Sequence, residues 1–228
     1  MSDNLLKDVV DQIDRQSNLG EIAYSRLKQV IVSGSFPAGE KLTVRSVAAA
    51  LGVSTTPARD AINRLLSEGA LVNEGPKTVI LPTLTLASLE EVTATRLALE
   101  GLAAERSVGA VTPADITELK RLQKIINESL DRGNYREVLS ANREFHFLIY
   151  RRSGWKRLVG LIESLWLQVG PSLNGLYPDF AKSRKGVANH MAVFRGYRSE
   201  DPSAVRAAVE QDIKDGYASL KAYIKARA

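Results

Sequence analysis

The chain's 228 residues are enough for two ordinary domains, and 44% apolar with 25% charged side chains is a globular balance. It contains no cysteine, which excludes disulfides and thiolate metal sites and leaves imidazole and carboxylate as the strong ligands. The net charge of +5 is not in itself a nucleic-acid signature, because residues 1–82 carry nine Lys and Arg against nine Asp and Glu and the excess lies beyond them.

Residues 1–19 read as an acidic N-terminal arm. Leu5, Leu6, Val9, Val10 and Ile13 leave a short amphipathic helix open, and the polar remainder leaves disorder equally open. The arm lacks the basic start and long apolar core of a signal peptide, and no apolar run is long enough to span a membrane, so a cytoplasmic protein is expected. From Glu21 to Ser33, Ala23, Leu27, Val30 and Ile31 mark one apolar helix face, ended by Gly34 and the turn Phe36-Pro37-Ala38-Gly39.

Two short helical patterns follow between Lys41 and Glu68. Thr43 is a good N-cap for the first, whose buried side is Val44, Val47, Ala48 and Leu51. Gly52 can end it in the left-handed conformation, Ser54 can cap the next helix, and Pro57 is tolerated in that helix's first turn. The second helix buries Ala58, Ala61, Ile62 and Leu65, while Thr55, Thr56, Arg59, Asn63 and Arg64 face outward, able to reach base edges and phosphates in a major groove. With so few residues between them the two helices must cross steeply, which makes a helix-turn-helix. Lys41, Arg45, Arg59 and Arg64 against Asp60 add a small basic face. Ala70-Leu71-Val72 and Thr78-Val79-Ile80-Leu81 then read as a hairpin whose tip, Asn73-Glu74-Gly75-Pro76-Lys77, would form a wing.

Pro82 and Thr83-Leu84-Thr85 mark a boundary. Beyond it helical patterns run over Leu86–Val108, Pro113–Asp131, Tyr135–Arg152, Trp155–Val169, Lys185–Arg198 and Ala204–Ala226, separated by Gly and Pro punctuators such as Gly170-Pro171 and Asp201-Pro202. The fold class predicted is mainly α: an N-terminal winged helix-turn-helix over 20–82 and a C-terminal antiparallel helical bundle over 86–228.

Leu27-x3-Ile31-x2-Gly34, Pro37-x-Gly39-x2-Leu42, Arg45, Leu51-Gly52-Val53-Ser54, Thr56-Pro57-x-Arg59-x-Ala61 and Leu65-x2-Glu68-Gly69 together resemble the DNA-binding domain of the GntR family of bacterial transcription regulators. The helical remainder is similar to the effector domain of that family's FadR-type branch. The resemblance implies operator contacts by Arg45 and Arg59 with help from Thr56, roles that suit a guanidinium able to make two parallel bonds. Thr55 stands where the family most often has arginine, which implies a changed half-site. Gly75 is the candidate wing glycine, with Lys77 beside it, although Thr78 occupies the place where many relatives carry that glycine.

The two histidines, His146 and His190, both fall in the helical half. Asn142 and His146 are one turn apart, His190 lies on a later helix, and Asp212 on the last. FadR-type relatives often hold a metal with an Asp or Asn, a His one turn later and two further His; Asn142, His146 and His190 match three of these positions, with Asp212 at the fourth. The resemblance thus implies one divalent transition metal, Zn, Ni, Mn or Fe, per chain and no organic cofactor. On the residues alone a histidine in Phe145-His146-Phe147-Leu148 is more often a buried, hydrogen-bonded core residue than a ligand, and without a metal the same four side chains would form a polar patch in an effector pocket. Arg96 and Glu100 match an arginine and a glutamate common at this place in the branch, whose arginine related proteins use near a carboxylate effector; on the residues alone an ordinary surface i,i+4 pair is about as good a reading. Arg151-Arg152, Lys156-Arg157 and Lys182-Ser183-Arg184-Lys185 read as solvated faces.

The function expected is a homodimeric, sequence-specific transcription regulator, a repressor by the family's commoner mode, reading an inverted repeat and released by a small organic acid. Two other classes remain open. A metal-dependent bundle enzyme with a DNA-binding appendage would show turnover, and a purely architectural DNA binder would ignore metabolites and chelators alike.

Overall fold

The computed structural model describes residues 19–32, 39–173, 176–177 and 179–226. The expected helix from Leu5 to Ile13 and the turn at Phe36-Pro37-Ala38 lie outside them. Two compact units divide between Thr83 and Leu84.

In the first unit, α1 (residues 19–32) buries Ala23, Tyr24, Leu27 and Ile31. Val30, expected on that face, is exposed, and Tyr24 completes the stripe at the i, i+3, i+7 spacing instead. Thr43 caps α2 (Val44–Leu51) in a reciprocal capping box with Ser46, and Gly52 ends it at φ 66°, a conformation that suits glycine. The next helix, α3 (Thr55–Ser67), follows Ser54 at once, but the Ser54 side chain makes no cap bond. Pro57 lies in its first turn, where no backbone donor is needed, and Ala58, Ala61, Ile62 and Leu65 are buried with it.

Ala70 and Leu71, expected to begin a strand, instead close α3: both N–H groups donate to the Leu65 carbonyl, at 2.9 and 3.2 Å. The wing is β2 (Val72–Gly75) and β3 (Thr78–Ile80), joined by Pro76-Lys77, with a bulge between Asn73 and Gly75. A third strand, β1 (Lys41–Leu42), pairs antiparallel with β3 through Lys41↔Ile80 and Leu42↔Val79, so the sheet order is β1-β3-β2. Two residues are too short for a period-2 pattern, which is why the sequence does not announce them.

The second unit is helical: α4 (Leu86–Ser107), α5 (Pro113–Arg132), α6 (Tyr135–Arg151), α7 (Lys156–Leu173), α8 (Asp179–Ser183), α9 (Lys185–Arg198) and α10 (Pro202–Lys225). Capping boxes at Thr85 with Ser88 and Thr112 with Asp115 start α4 and α5. Pro171 does not end α7; it sits in the last turn, at the cost of one backbone bond. Asp201 caps α10, so Pro202 opens that helix instead of preceding it. The short α8 carries no apolar periodicity and was not expected.

Phe145, Phe147 and Tyr150 of α6, Ile162 and Trp166 of α7, Val193 of α9 and Val205 and Val209 of α10 share one core. Each such side chain contributes about 1.5–3 kcal/mol by leaving water. Close helix approach depends on Gly196, where an added Cβ would stand 2.7 Å from Val205 Cγ2 and 2.9 Å from the Val205 backbone nitrogen. Among the described residues no helix is long and apolar enough to cross a membrane.

Candidate functional site

Thr55, Thr56, Arg59 and Asn63 lie on one exposed arc of α3, and Arg45 is exposed on α2. Among the described residues Arg45 and Arg59 make no ion pair, so both guanidinium groups are available to phosphates or base edges. At the wing, Lys77 is exposed and Gly75 half-buried at the bulge, while Glu74 pairs with Lys41 at 3.0 Å.

Arg64 departs from this face. It stands about 140° around the helix from Arg59. Its Nη1 donates to Glu21 at 2.6 Å, its Nε lies 3.5 Å from Glu68, and the guanidinium carbon sits 3.7 Å from the Tyr24 ring centroid. Partial burial disfavours the charged form, but Glu21, Tyr24 and Glu68 outweigh it and raise the Arg64 pKa.

In the helical unit the candidates come from α4, α6, α9 and α10. His146 Nε2 lies 3.3 Å from His190 Nε2 and 3.1 Å from Asp212 Oδ2, and one ligand atom of each residue falls within 4.8 Å of the others. Both rings are essentially buried, and His190 stacks on Phe145 at 3.9 Å. Asn142, Arg96, His190 and Asp212 line a cavity of about 80 Å³ walled by Trp166, Tyr177, Leu173 and Ile213. That is room for a compact ligand.

Hydrogen bonding fixes the imidazole tautomers. His190 Nδ1 is 2.6 Å from Gln123 Oε1, and the Gln123 amide nitrogen donates in turn to Asn127, so His190 carries its proton on Nδ1. Tyr150 donates to Glu100 Oε2 at 2.5 Å, and its oxygen, 3.2 Å from His146 Nδ1, is left to accept from that nitrogen. With each Nδ1 so engaged, both Nε2 atoms face the same spot as Asp212. Burial pushes the His190 pKa down to about 3; Asp212 opposes this and His146 reinforces it. Burial works to raise the Asp212 pKa, but the bond to His146, the two imidazoles and Asn189 hold it below the usual carboxylate range.

Arg96 and Glu100 are not a surface pair. Their side chains are 11% and 0% exposed, joined at 2.6 and 3.3 Å, and Arg96 lies over the Trp166 ring at 4.8 Å. Desolvation works to lower the Arg96 pKa, yet Glu100, Tyr150 and Asp212 keep it raised. Arg96 thus lines the cavity while paired with Glu100, which also accepts from Tyr150. Sequence reading missed Gln123, Tyr150 and Trp166. Tyr150 had a signal, one helical turn beyond His146; Gln123 had none, because its partner is 67 positions away.

Comparison with known proteins accords with both units. Residues 19–77 match the model for bacterial regulatory proteins of the gntR family, and residues 91–215 match the FCD domain. The HTH-type transcriptional regulator McbR of Escherichia coli (strain K12) is 29% identical over 196 residues, covering 85% of this chain and 89% of McbR. The solved structure of E. coli McbR/YncC superposes with a TM-score of 0.82 at 28% identity, covering 89% of this chain and 96% of that one. The gluconate operon transcriptional repressor of Bacillus subtilis (strain 168) is 26% identical over 207 residues, covering 85% of this chain and 81% of that protein. These are transcription regulators and not enzymes, which sets aside the bundle-enzyme reading. The chain belongs to the GntR family of DNA-binding transcription regulators and carries an FCD domain behind its winged helix-turn-helix.

Proposed function

We propose that the chain is a homodimeric repressor whose grip on an inverted-repeat operator is released by a small carboxylate-bearing metabolite, bound beside a divalent metal in the helical unit. The observation that carries the metal reading is the convergence of the two Nε2 atoms and the Asp212 carboxylate on one point, with each Nδ1 already engaged by Gln123 or Tyr150. Two imidazoles and a carboxylate suit Zn, Ni, Mn or Fe, and Asn142 lines the same cavity as a neutral oxygen donor. A metal bound there would supply a positive anchor for an acid. The chain's own residues do the rest: Gln123 and Tyr150 hold the rings in their ligand tautomers, and the apolar wall excludes water. The indole N–H of Trp166, buried in that wall without a partner among the described residues, is an unspent donor.

The cytoplasm is the compartment for such a regulator. Its DNA face is Arg45, Thr55, Thr56, Arg59 and Asn63, with Gly75 and Lys77 on the wing. The B. subtilis relative, a gluconate operon transcriptional repressor, supports repression, and its name makes gluconate a first acid to try. Acid and operator then weaken each other by the same factor. Native mass spectrometry with elemental analysis tests this reading: a dimer that releases a transition metal and loses operator DNA on addition of gluconate or a related acid supports it. A monomer without metal, indifferent to every acid tried, defeats it.

A further inference from the structure

We propose that Arg64 is a positioning residue of the recognition helix, held by a polar latch on α1, and not a phosphate contact. Tyr24 is 4% exposed, and its hydroxyl lies 2.8 Å from each Glu68 carboxylate oxygen. Arg64 stacks on the face of that same ring while bonding Glu21 and facing Glu68. Two α1 residues, Arg64 of α3 and Glu68 at the helix's C-cap thus form one cluster, in which the aromatic ring lies against a charge pair.

The latch sits toward the C-terminal end of α3, whereas Thr55, Thr56 and Arg59 sit toward its start. Nine residues separate Arg64 from Thr55, a lever of about 13 Å, so a tilt of about 5° moves Thr55 by about 1 Å. Hydrogen bonds to base edges do not survive such a shift. Of the buried α3 side chains, Ala58 and Ala61 are short and smooth, so Ile62 and Leu65 supply the apolar grip and the latch adds a directional one. The guanidinium fork and the ring fix the rotation that the alanines leave open.

The roles predict opposite signs. A phosphate contact keeps its function as lysine, and removing a nearby acid strengthens DNA binding. A latch fails as lysine, which cannot stack and fork, and fails equally when the acid is lost. The full chain would be titrated with a duplex carrying the inverted repeat that wild-type protein selects from a random pool, and with a scrambled duplex, across a salt series. Arg64→Lys and Glu21→Gln are each expected to lower affinity for the selected duplex about fivefold relative to the scrambled one, with the salt slope of wild type. Tyr24→Phe, which keeps the ring and removes the hydroxyl, is expected to lower it about twofold with the fold intact. Wild-type affinity for Arg64→Lys, equal or tighter binding by Glu21→Gln, or a slope reduced by about one unit in Arg64→Ala overturns the proposal.

Discussion

His146 Nε2 stands 3.3 Å from His190 Nε2, although the two residues are 44 positions apart and belong to α6 and α9. Such an approach needs a proton or a metal cation between the two nitrogens, and Gln123 prevents His190 from turning its own proton inward. Replacing Gln123 by Ala is expected to weaken metal binding about ten- to hundredfold, read by competition against a chelator. The double variant His146→Ala, His190→Ala should release the metal and lose the acid response while operator binding persists. Retained metal in the double variant removes these residues as ligands.

Arg59→Ala should cost about 1–3 kcal/mol of specific operator binding, roughly ten- to hundredfold, with the circular dichroism of wild type. Undiminished affinity would take Arg59 out of the interface.

Glu100→Gln leaves the Arg96 charge buried without its counter-ion. Unfolding of the helical unit in urea should show a loss of about 3–5 kcal/mol. A loss below about 1 kcal/mol would mean that Arg96 finds water or another partner.

Asp115 accepts from Thr112 and from Arg152, at 2.6 and 2.7 Å. Burial works to raise its pKa, but these donors lower it below the ordinary value. Because the folded pKa lies under the unfolded one, the carboxylate stabilises the fold above about pH 4 and loses that contribution as pH falls through the folded pKa. Asp115→Asn should therefore cost about 1 kcal/mol at pH 7, and the gap to wild type should close in acid. A gap independent of pH would show that the amide fails for shape alone.

What could be read from the sequence followed from local chemistry. The Thr43 cap, the left-handed Gly52 and the buried stripe of α3 are decided within a few residues of chain, and the structure has each of them. Strand β1 was invisible because its partner is β3, nearly forty positions on, and two residues hold no pattern. Arg64 was assigned to the outer face by residue type, when its angle around the helix already separated it from Arg59. Burial of Glu100 was likewise hidden: an i,i+4 pair reads the same on a surface and in a core until the packing helices are known. The cavity candidates were named from a resemblance, whereas Gln123 and Tyr150, which orient the rings, are identified by contacts that only the folded chain makes.

The wing turns through only Pro76-Lys77, yet its root is tied by β1 pairing to β3 and by the Gly39 N–H donating to the Leu81 carbonyl at 2.8 Å. Reach and register are therefore separable. Residues inserted between Pro76 and Lys77 would lengthen the finger without slipping the strands beneath it. A protein engineer, or natural selection, could thus extend the stretch of DNA being read without rebuilding the domain that reads it.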